Sequence, residues 1–456
     1  MGDYEKEQER LQTLMNEVLN DDDEATDAIY DDEDDEFKND HVEINEESSD
    51  TEPEFEMKLP IVSSHLRKVK ELLEIWKQFF DADIINLIVI HPNEYLESVA
   101  AQYNHATYTR PTDNVEIKAL LGLLNLASVK KSNHLITEDH FKTNGTAPEI
   151  FHVTMSLQHF RILLRFLGFD DIQTKIARRE LDKLAPIREL FDKFVTNCKK
   201  NYSVSQQVTV DEKLEASCGR LYVSNQPDWP FSQSNSALSV VEPLYSSNRN
   251  VTTDRWFTSI ELARNLLSHG LTTIGTIRAN KRELPPEFVQ KSSRPVGSTM
   301  FGFGENCTLV SHIPKKNKNV LLISTSHGDD KIVPQTSKPE IIIDYNHTKC
   351  GVDVIDQLCS NYNCARPTRR WQMTVFYSLL NISGINSQTI YTSNNTNRKV
   401  MKRHFLENLA FSLIDGHLTR RATSNYLPKS LRLRICEKCE IEPLKEQHEE
   451  RRNMLG

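Results

Sequence analysis

From about residue 60 the apolar positions recur at helical spacing. Leu72, Leu73, Ile75 and Trp76, followed by Phe79 and Phe80, suit one helical face. The run from Leu120 to Leu126 shows the same pattern, with Thr112 and Asp113 ahead of it where an N-cap belongs. Phe160, Ile162, Leu163, Phe166 and Leu167 repeat it before Phe169-Asp170-Asp171. Strand signals are few until the texture changes near 206. There QQVTVDE alternates valine with threonine and reads as a strand ending at Asp211. NVTTDRWF repeats that shape and ends at Asp254. A helix-like segment with Ile260, Ala263 and Leu267 on one side follows, then a third strand candidate in TTIGTIRAN. Residues 294–347 read as short strands and turns, with CTLVSHI, VLLIST and EIIIDY as the apolar runs. Helices return at GVDVIDQLC, along Trp371 to Tyr391, and around Phe405, Leu406, Leu409, Leu413 and Ile414. There is no internal repeat.

Charge changes this picture at one end. The 456 residues carry a net charge of -10, but residues 1–56 hold 24 Asp/Glu against 3 Lys/Arg, which is -21. The remainder has 65 - 24 = 41 acidic and 55 - 3 = 52 basic residues, a net of +11. The first 56 residues bury too little apolar surface to offset the entropy of ordering, so they are expected to be a disordered tail. A turn or two of helix around Leu11 to Leu19 is compatible with that. An acidic tail on a basic body is the asymmetry of nucleic-acid binders, and equally of a lysine-rich solvated surface. The start has neither the basic nor the apolar region of a signal peptide, and no apolar run reaches the ~20 residues of a membrane helix. The eight cysteines are scattered apart from Cys436 and Cys439, and read as free thiols or metal ligands rather than disulfides.

Three acidic residues stand out by context. Asp211 and Asp254 each close a β-branched run, and Asp353 opens a helix-like run after Gly351. Asp356 lies three residues on, on the same helical face. Carboxylates at neighbouring strand ends and an adjacent helix can converge on divalent cations, which activate water and steady the leaving oxygen of a phosphodiester. An aspartate at a strand end is also a common turn former.

The stretch from Gly351 to Tyr391, with its GVD, its second Asp356 and the Arg369-Arg370-Trp371 triplet, resembles the piggyBac transposase family. Upstream blocks agree in order: TVDEKLE, NVTTDRWFTS, TTIGTIRANKRELP and RPVGSTMF, preceded by EIKALLGLL and TMSLQHFRILLRFLGFDD. The resemblance covers roughly 60 to 440. It implies an α/β RNase H-like core with magnesium held by Asp211, Asp254 and Asp353, and Asp356 as an accessory carboxylate. It also implies DNA nicking, hairpin formation, joining at TTAA sites, a nuclear location and a homodimer as one arrangement. The implied organisation is a helical N-terminal domain over 57–205, a catalytic core over 206–293 and 348–400, a strand-rich insertion domain over 294–347, and a helical segment over 401–435.

Two departures modify the expectation. Only 42 residues separate Asp211 from Asp254, and much of that space, Arg220 to Ser239, is rich in proline and serine and reads as loop. This resembles an internal deletion of the second and third core strands, with the next helix reduced to a stub near Val240 to Tyr245. At the other end, Cys436 and Cys439 have no later cysteine, and one CxxC with His448 gives three ligands where a structural zinc wants four. Residues 436–456 are therefore expected to be a cut-off remnant of a cysteine-rich domain, with structural zinc absent. Arg366, Arg369 and Arg370 form a basic cluster beside Trp371, either contacting phosphates or making a solvated face; with the family pattern they are assigned to DNA, and Trp371 to the core.

Overall fold

The computed structural model describes residues 61–99, 110–132, 135–171, 173–211, 233–395 and 400–439. They belong to one unit running from Leu59 to Gly456. The acidic tail, its suggested helix and His448 lie outside the described residues, as does the side chain of Cys439.

The first half is helical: α1 (Leu72–Trp76), α2 (Ala82–Val99), α3 (Asn114–Val129), α4 (Glu149–Thr154), α5 (Leu157–Phe166), α6 (Lys175–Leu181) and α7 (Ala185–Asn201). A two-residue strand, β1 (Ile61–Val62), pairs antiparallel with β2 (Tyr202–Ser203) and ties the ends of this half together. The start of α3 is fixed by Asp113, whose carboxylate accepts from the N–H groups of Val115 and Glu116 at 3.0 and 2.9 Å. Thr112 instead donates its hydroxyl to buried Glu116. Ser156 caps α5 in the same way through His159 N–H.

The α3 helix is buried on all sides because α14 (Lys402–Ala422) crosses it closely. Gly122 permits this: a Cβ there would stand 2.7 Å from Ile414 Cγ1 and 2.8 Å from the Ala410 carbonyl. The 24-residue helix α13 (Trp371–Asn394) runs through the same core. Its fully buried Ser383 accepts a hydrogen bond from Trp76 Nε1 at 3.0 Å, so the polar edge of the indole is not stranded. One apolar cluster extends from Val62 to Cys436. The lines drawn at 205, 400 and 435 therefore do not separate cores: α1–α7 share theirs with α13, α14 and α15 (Lys429–Cys439). Each buried leucine contributes about 1.5–3 kcal/mol to that body. Cys436 is part of this core, and a single helix, α15, carries it across the expected boundary at 436.

The second body is a mixed six-stranded sheet, an α/β arrangement. Its strands are β3 (Gln207–Val210), β4 (Asn250–Thr253), β5 (Thr272–Thr276), β6 (Thr299–Phe303), β7 (Thr308–Lys315) and β8 (Lys318–Ser324), in spatial order β3-β4-β5-β8-β7-β6. The first three are parallel and the rest antiparallel. The strand-rich stretch after 294 thus continues the sheet, because β8 pairs directly with β5. A short hairpin of β9 (Ile332–Val333) and β10 (Lys338–Pro339) follows.

Parallel strands need crossovers, and α8 (Gln233–Val241) and α9 (Ile260–Ser268) supply them. The expected stub is thus a nine-residue helix beginning at Gln233, inside the proline- and serine-rich stretch read as loop. Ala237 and Val241 bury against Val210, Val251 and Leu266, and that packing overrides the local composition. A short helix, α10 (Pro286–Val289), precedes β6. The EIIIDY run, read among short strands, is helix α11 (Glu340–Thr348). Ile341, Ile342 and Tyr345 lie at helical spacing against Ile274, Val310 and Leu322, so burial outweighs β-branched propensity. Helix α12 (Gly351–Asn361) begins almost at once.

Candidate active site

The two parallel strands β3 and β4 set the geometry. Their register pairs Val208 with Val251, Thr209 with Thr252 and Val210 with Thr253. Asp211 and Asp254 are the next residues of each strand and stand side by side at the carboxyl ends, where open α/β sheets bind ligands. Strand alternation assigns the two faces. Val208, Val210 and Val251 pack toward α8 and α9. Thr209 and Thr252 turn to the opposite face, where α11 ends and α12 begins: Thr209 Oγ1 donates to the Thr348 carbonyl at 2.6 Å, and Thr252 Oγ1 to Thr348 Oγ1 at 2.8 Å. These bonds pin the junction that carries Asp353 onto the strands that carry the other two acids.

Asp254 is held by its own turn. Its Oδ1 accepts from the N–H groups of Trp256 and Phe257 at 2.8 and 3.3 Å, and its carbonyl accepts from Thr258 Oγ1 at 2.5 Å. The neighbouring strand must approach closely here. A Cβ on Gly275 would lie 2.4 Å from Thr258 Oγ1 and 2.6 Å from Thr253 Oγ1, so only glycine fits beneath the turn. The Asp254 carboxyl is raised above its ordinary range, by burial first and then by the negative charge of Asp211, against the opposing pull of its two backbone donors.

Asp211, Asp254 and Asp353 line one open cleft of about 100 Å³, with Thr209, Thr252, Tyr345 and Lys349 around them. Buried Tyr345 reports their proximity: its phenol is pushed up by burial and then by the field of Asp254, Asp211 and Asp353, partly offset by a hydrogen bond with Thr276. Asp356, one turn farther along α12, does not line the cleft. The donor set is all carboxylate oxygen, which suits a hard divalent cation. Among the described residues, however, no group of three acidic, histidine or cysteine side chains is gathered closely enough to hold a metal ion. The chemistry fits, and the cage is not closed.

The arginine cluster divides. Arg366 is buried and donates to the Ser132 carbonyl at 2.7 Å, with its other nitrogen 3.1 Å from His140 Nε2. Arg370 donates to the carbonyls of Arg165 and Leu167 at 2.9 and 2.5 Å, closing the C-terminal end of α5. Both were assigned to DNA from the sequence; in the structure these donor groups turn inward to the helical body. Arg369 is exposed, and Trp371 packs at the core edge as expected. Tyr345, Lys349 and the threonine clamp were missed in the sequence, although VTVD and VTTD place each threonine two residues before its aspartate, and hence on the aspartate's face.

A sequence profile for Transposase IS4 matches residues 73–228 and 219–388, well over half of the chain. A cryo-electron microscopy structure of a piggyBac transposase synaptic complex with hairpin DNA superposes with a TM-score of 0.77 at 32% identity, over 82% of this chain and 86% of that one. This chain belongs to the piggyBac-type transposase family. In this piggyBac-type chain an aspartate follows each of β3 and β4, a third lies on α12, and all three line one cleft. The profile match breaks into two parts that meet within 219–228, inside the segment between the first two aspartates. No helix among the described residues is long and apolar enough to cross a membrane.

Proposed function

We propose that the aspartate cleft is the site of metal-dependent DNA strand cleavage and joining at TTAA sequences, weakened in this chain by an internal deletion. The observation that carries the reading is the convergence of Asp211, Asp254 and Asp353 on one cleft at the ends of paired parallel strands. These three residues would hold magnesium, which when bound supplies an activated water and charge neutralisation at the phosphodiester. The chain's own part is positional. The Asp254 turn and the threonine clamp on Thr348 orient two of the acids, and Lys349 offers a cation to an entering phosphate. The body carries +11, works on nuclear DNA, and acts as a homodimer that brings two DNA ends together.

The second reading is a DNA-binding protein without catalysis. It is favoured by the position of β3, which among the described strands is the sheet's edge and pairs only with β4. An edge strand has unpaired backbone groups and less to fix it, and carboxylates about 1 Å out of place lose about a hundredfold in rate. The division of the profile match into two parts that overlap at 219–228 supports the same view. The test is excision of a transposon end with magnesium or manganese, beside a version with the family's missing segment restored between Gly219 and Val240. We expect no measurable excision by the chain as it stands and Asp353-dependent excision by the restored version. Robust excision by the unmodified chain would remove the impairment. Failure of both versions would remove the catalytic assignment of the cleft.

A further inference from the structure

The helix that carries Asp353 is held by little apolar packing. Its buried residues are Val354 and Cys359. Among the described residues, neither belongs to the helical core or to the apolar clusters of the sheet. α12 packs against β3 and α13, and the junction before it is tied down by the two threonines that reach Thr348. Its other end meets a lysine from a distant helix. Lys402 opens α14 and is only 3% exposed. Its ammonium donates to the Leu358 carbonyl, in the last turn of α12, and stands 5.7 Å from the centroid of the Tyr362 ring. Lys131, just past the end of α3, lies 6.0 Å from the same centroid. A buried ammonium is costly unless it is hydrogen-bonded. The last four carbonyls of a helix lack intrahelical donors and carry the negative end of its dipole, so a cation is well used there. The bond also joins α12 to the helical body, because Phe405 and Leu406, the next turn of α14, lie in that core.

We infer that Lys402 is a positioning residue for Asp353: by holding the last turn of α12 it fixes the direction in which the helix leaves the Thr348 junction, and with it the place of Asp353 in the cleft. Asp353 lies between the two ties, and Leu358 stands five residues beyond it, about 7.5 Å along the axis. With the far tie released, the helix can pivot about the threonine clamp against few apolar contacts. The inference rests on the proposed function for what Asp353 does in the cleft. The tie itself needs neither metal nor DNA.

The experiment compares the full native chain with Lys402→Met and Lys131→Met. Methionine keeps a buried apolar stem and removes both charge and donor. Hydrogen exchange in chelator measures protection in α12, α3 and α14, and manganese titration measures the cleft. Lys402→Met should lower protection over Val354 to Gln357 about tenfold, the effect of one hydrogen bond to a charged group, with α3 and α14 changing less than about twofold. Manganese affinity should fall about tenfold with it, the usual cost of removing a group that holds a metal ligand in place. Lys131→Met keeps the Leu358 bond and should leave both readings at native values. Should the methionine variant not fold, Lys402→Gln, which keeps a donor and loses the charge, takes its place with smaller losses at the same positions.

Unchanged protection in α12 overturns the inference. So does an equal loss in α12, α3 and α14, which is a general loss of stability. A loosened α12 with native manganese affinity overturns it as well, because the tie then does not place Asp353. Equal effects of Lys131→Met would move the anchor to the Tyr362 ring and overturn it too. If the native chain binds no manganese, the metal reading of the cleft falls, while exchange over Val354 to Gln357 still decides the anchor.

Discussion

At the scale of single residues, the aspartates differ in what their surroundings ask of them. The turn around Asp254 uses its Oδ1 as an acceptor for two N–H groups, a role that asparagine can keep. Burial and Asp211 disfavour its charge. A carboxyl whose folded-state pKa is raised contributes stability that is fully present below its unfolded pKa and lost as pH rises through the folded value. Asp254→Asn should therefore raise the melting temperature at pH 7 in chelator, with the gain shrinking toward pH 4. Thermal melts at the two pH values check this. Manganese should stabilise the native chain, by about 2.7 kcal/mol at a hundred times its dissociation constant, and the asparagine variant much less. Gly275→Ala is the complementary case. Its Cβ would press on Thr253 and Thr258 inside the sheet, with an expected loss of about 1–3 kcal/mol in urea unfolding and a displaced Asp254 turn that weakens manganese binding.

At the scale of elements, two arginines four residues apart in the sequence act as clamps rather than contacts. Arg370 closes the last carbonyls of α5, and Arg366 bridges to Ser132 after the end of α3. Each holds the segment between α12 and α13 against the helical body. Arg370→Ala leaves buried carbonyls without donors and should lower stability by about 2–3 kcal/mol in urea unfolding, while the salt slope of duplex binding stays the same. Arg369→Ala should do the opposite: stability within about 0.5 kcal/mol, and a slope shallower by about 0.9 if the exposed guanidinium meets one phosphate. A slope change in Arg370→Ala would return it to the DNA-contacting residues. The cluster was legible as basic in the sequence. Which members face inward depended on carbonyls of residues about 200 positions away, and no local pattern carries that information.

At the scale of the whole molecule, the charge split is the dominant feature. A body of +11 should bind duplex DNA with steep salt dependence, because each neutralised phosphate releases counterions. The first 56 residues, at -21, should act as a tethered competitor for the same surfaces. Deleting them should tighten non-specific duplex affinity several-fold at low salt, with the difference vanishing at high salt. Filter binding over a salt series checks this, and unchanged affinity on deletion would remove the competitor role.

The sequence by itself determined the elements and the acids. Period-3.6 apolar runs gave the helices of the first half, and the repeated VTVD and VTTD shapes gave two strands that each deliver an aspartate. Ordered blocks over most of the chain gave the family. These features are local, because alternation and capping act over a few residues: the Asp113 cap is made with Val115 and Glu116 N–H. Tertiary structure alone decided the rest. EIIIDY became a helix because Ile341, Ile342 and Tyr345 found the sheet's face, and Gln233–Val241 became one because Val210 and Val251 offered a surface to cover. The strands after 294 joined the core sheet through the pairing of β8 with β5. Tyr345 and Lys349 entered the site because the α11–α12 junction is tied by Thr209 and Thr252 to the strands that end in Asp211 and Asp254. Burial and long-range pairing are properties of surfaces brought together from distant positions, and a reading along the chain sees only one of the two partners at a time.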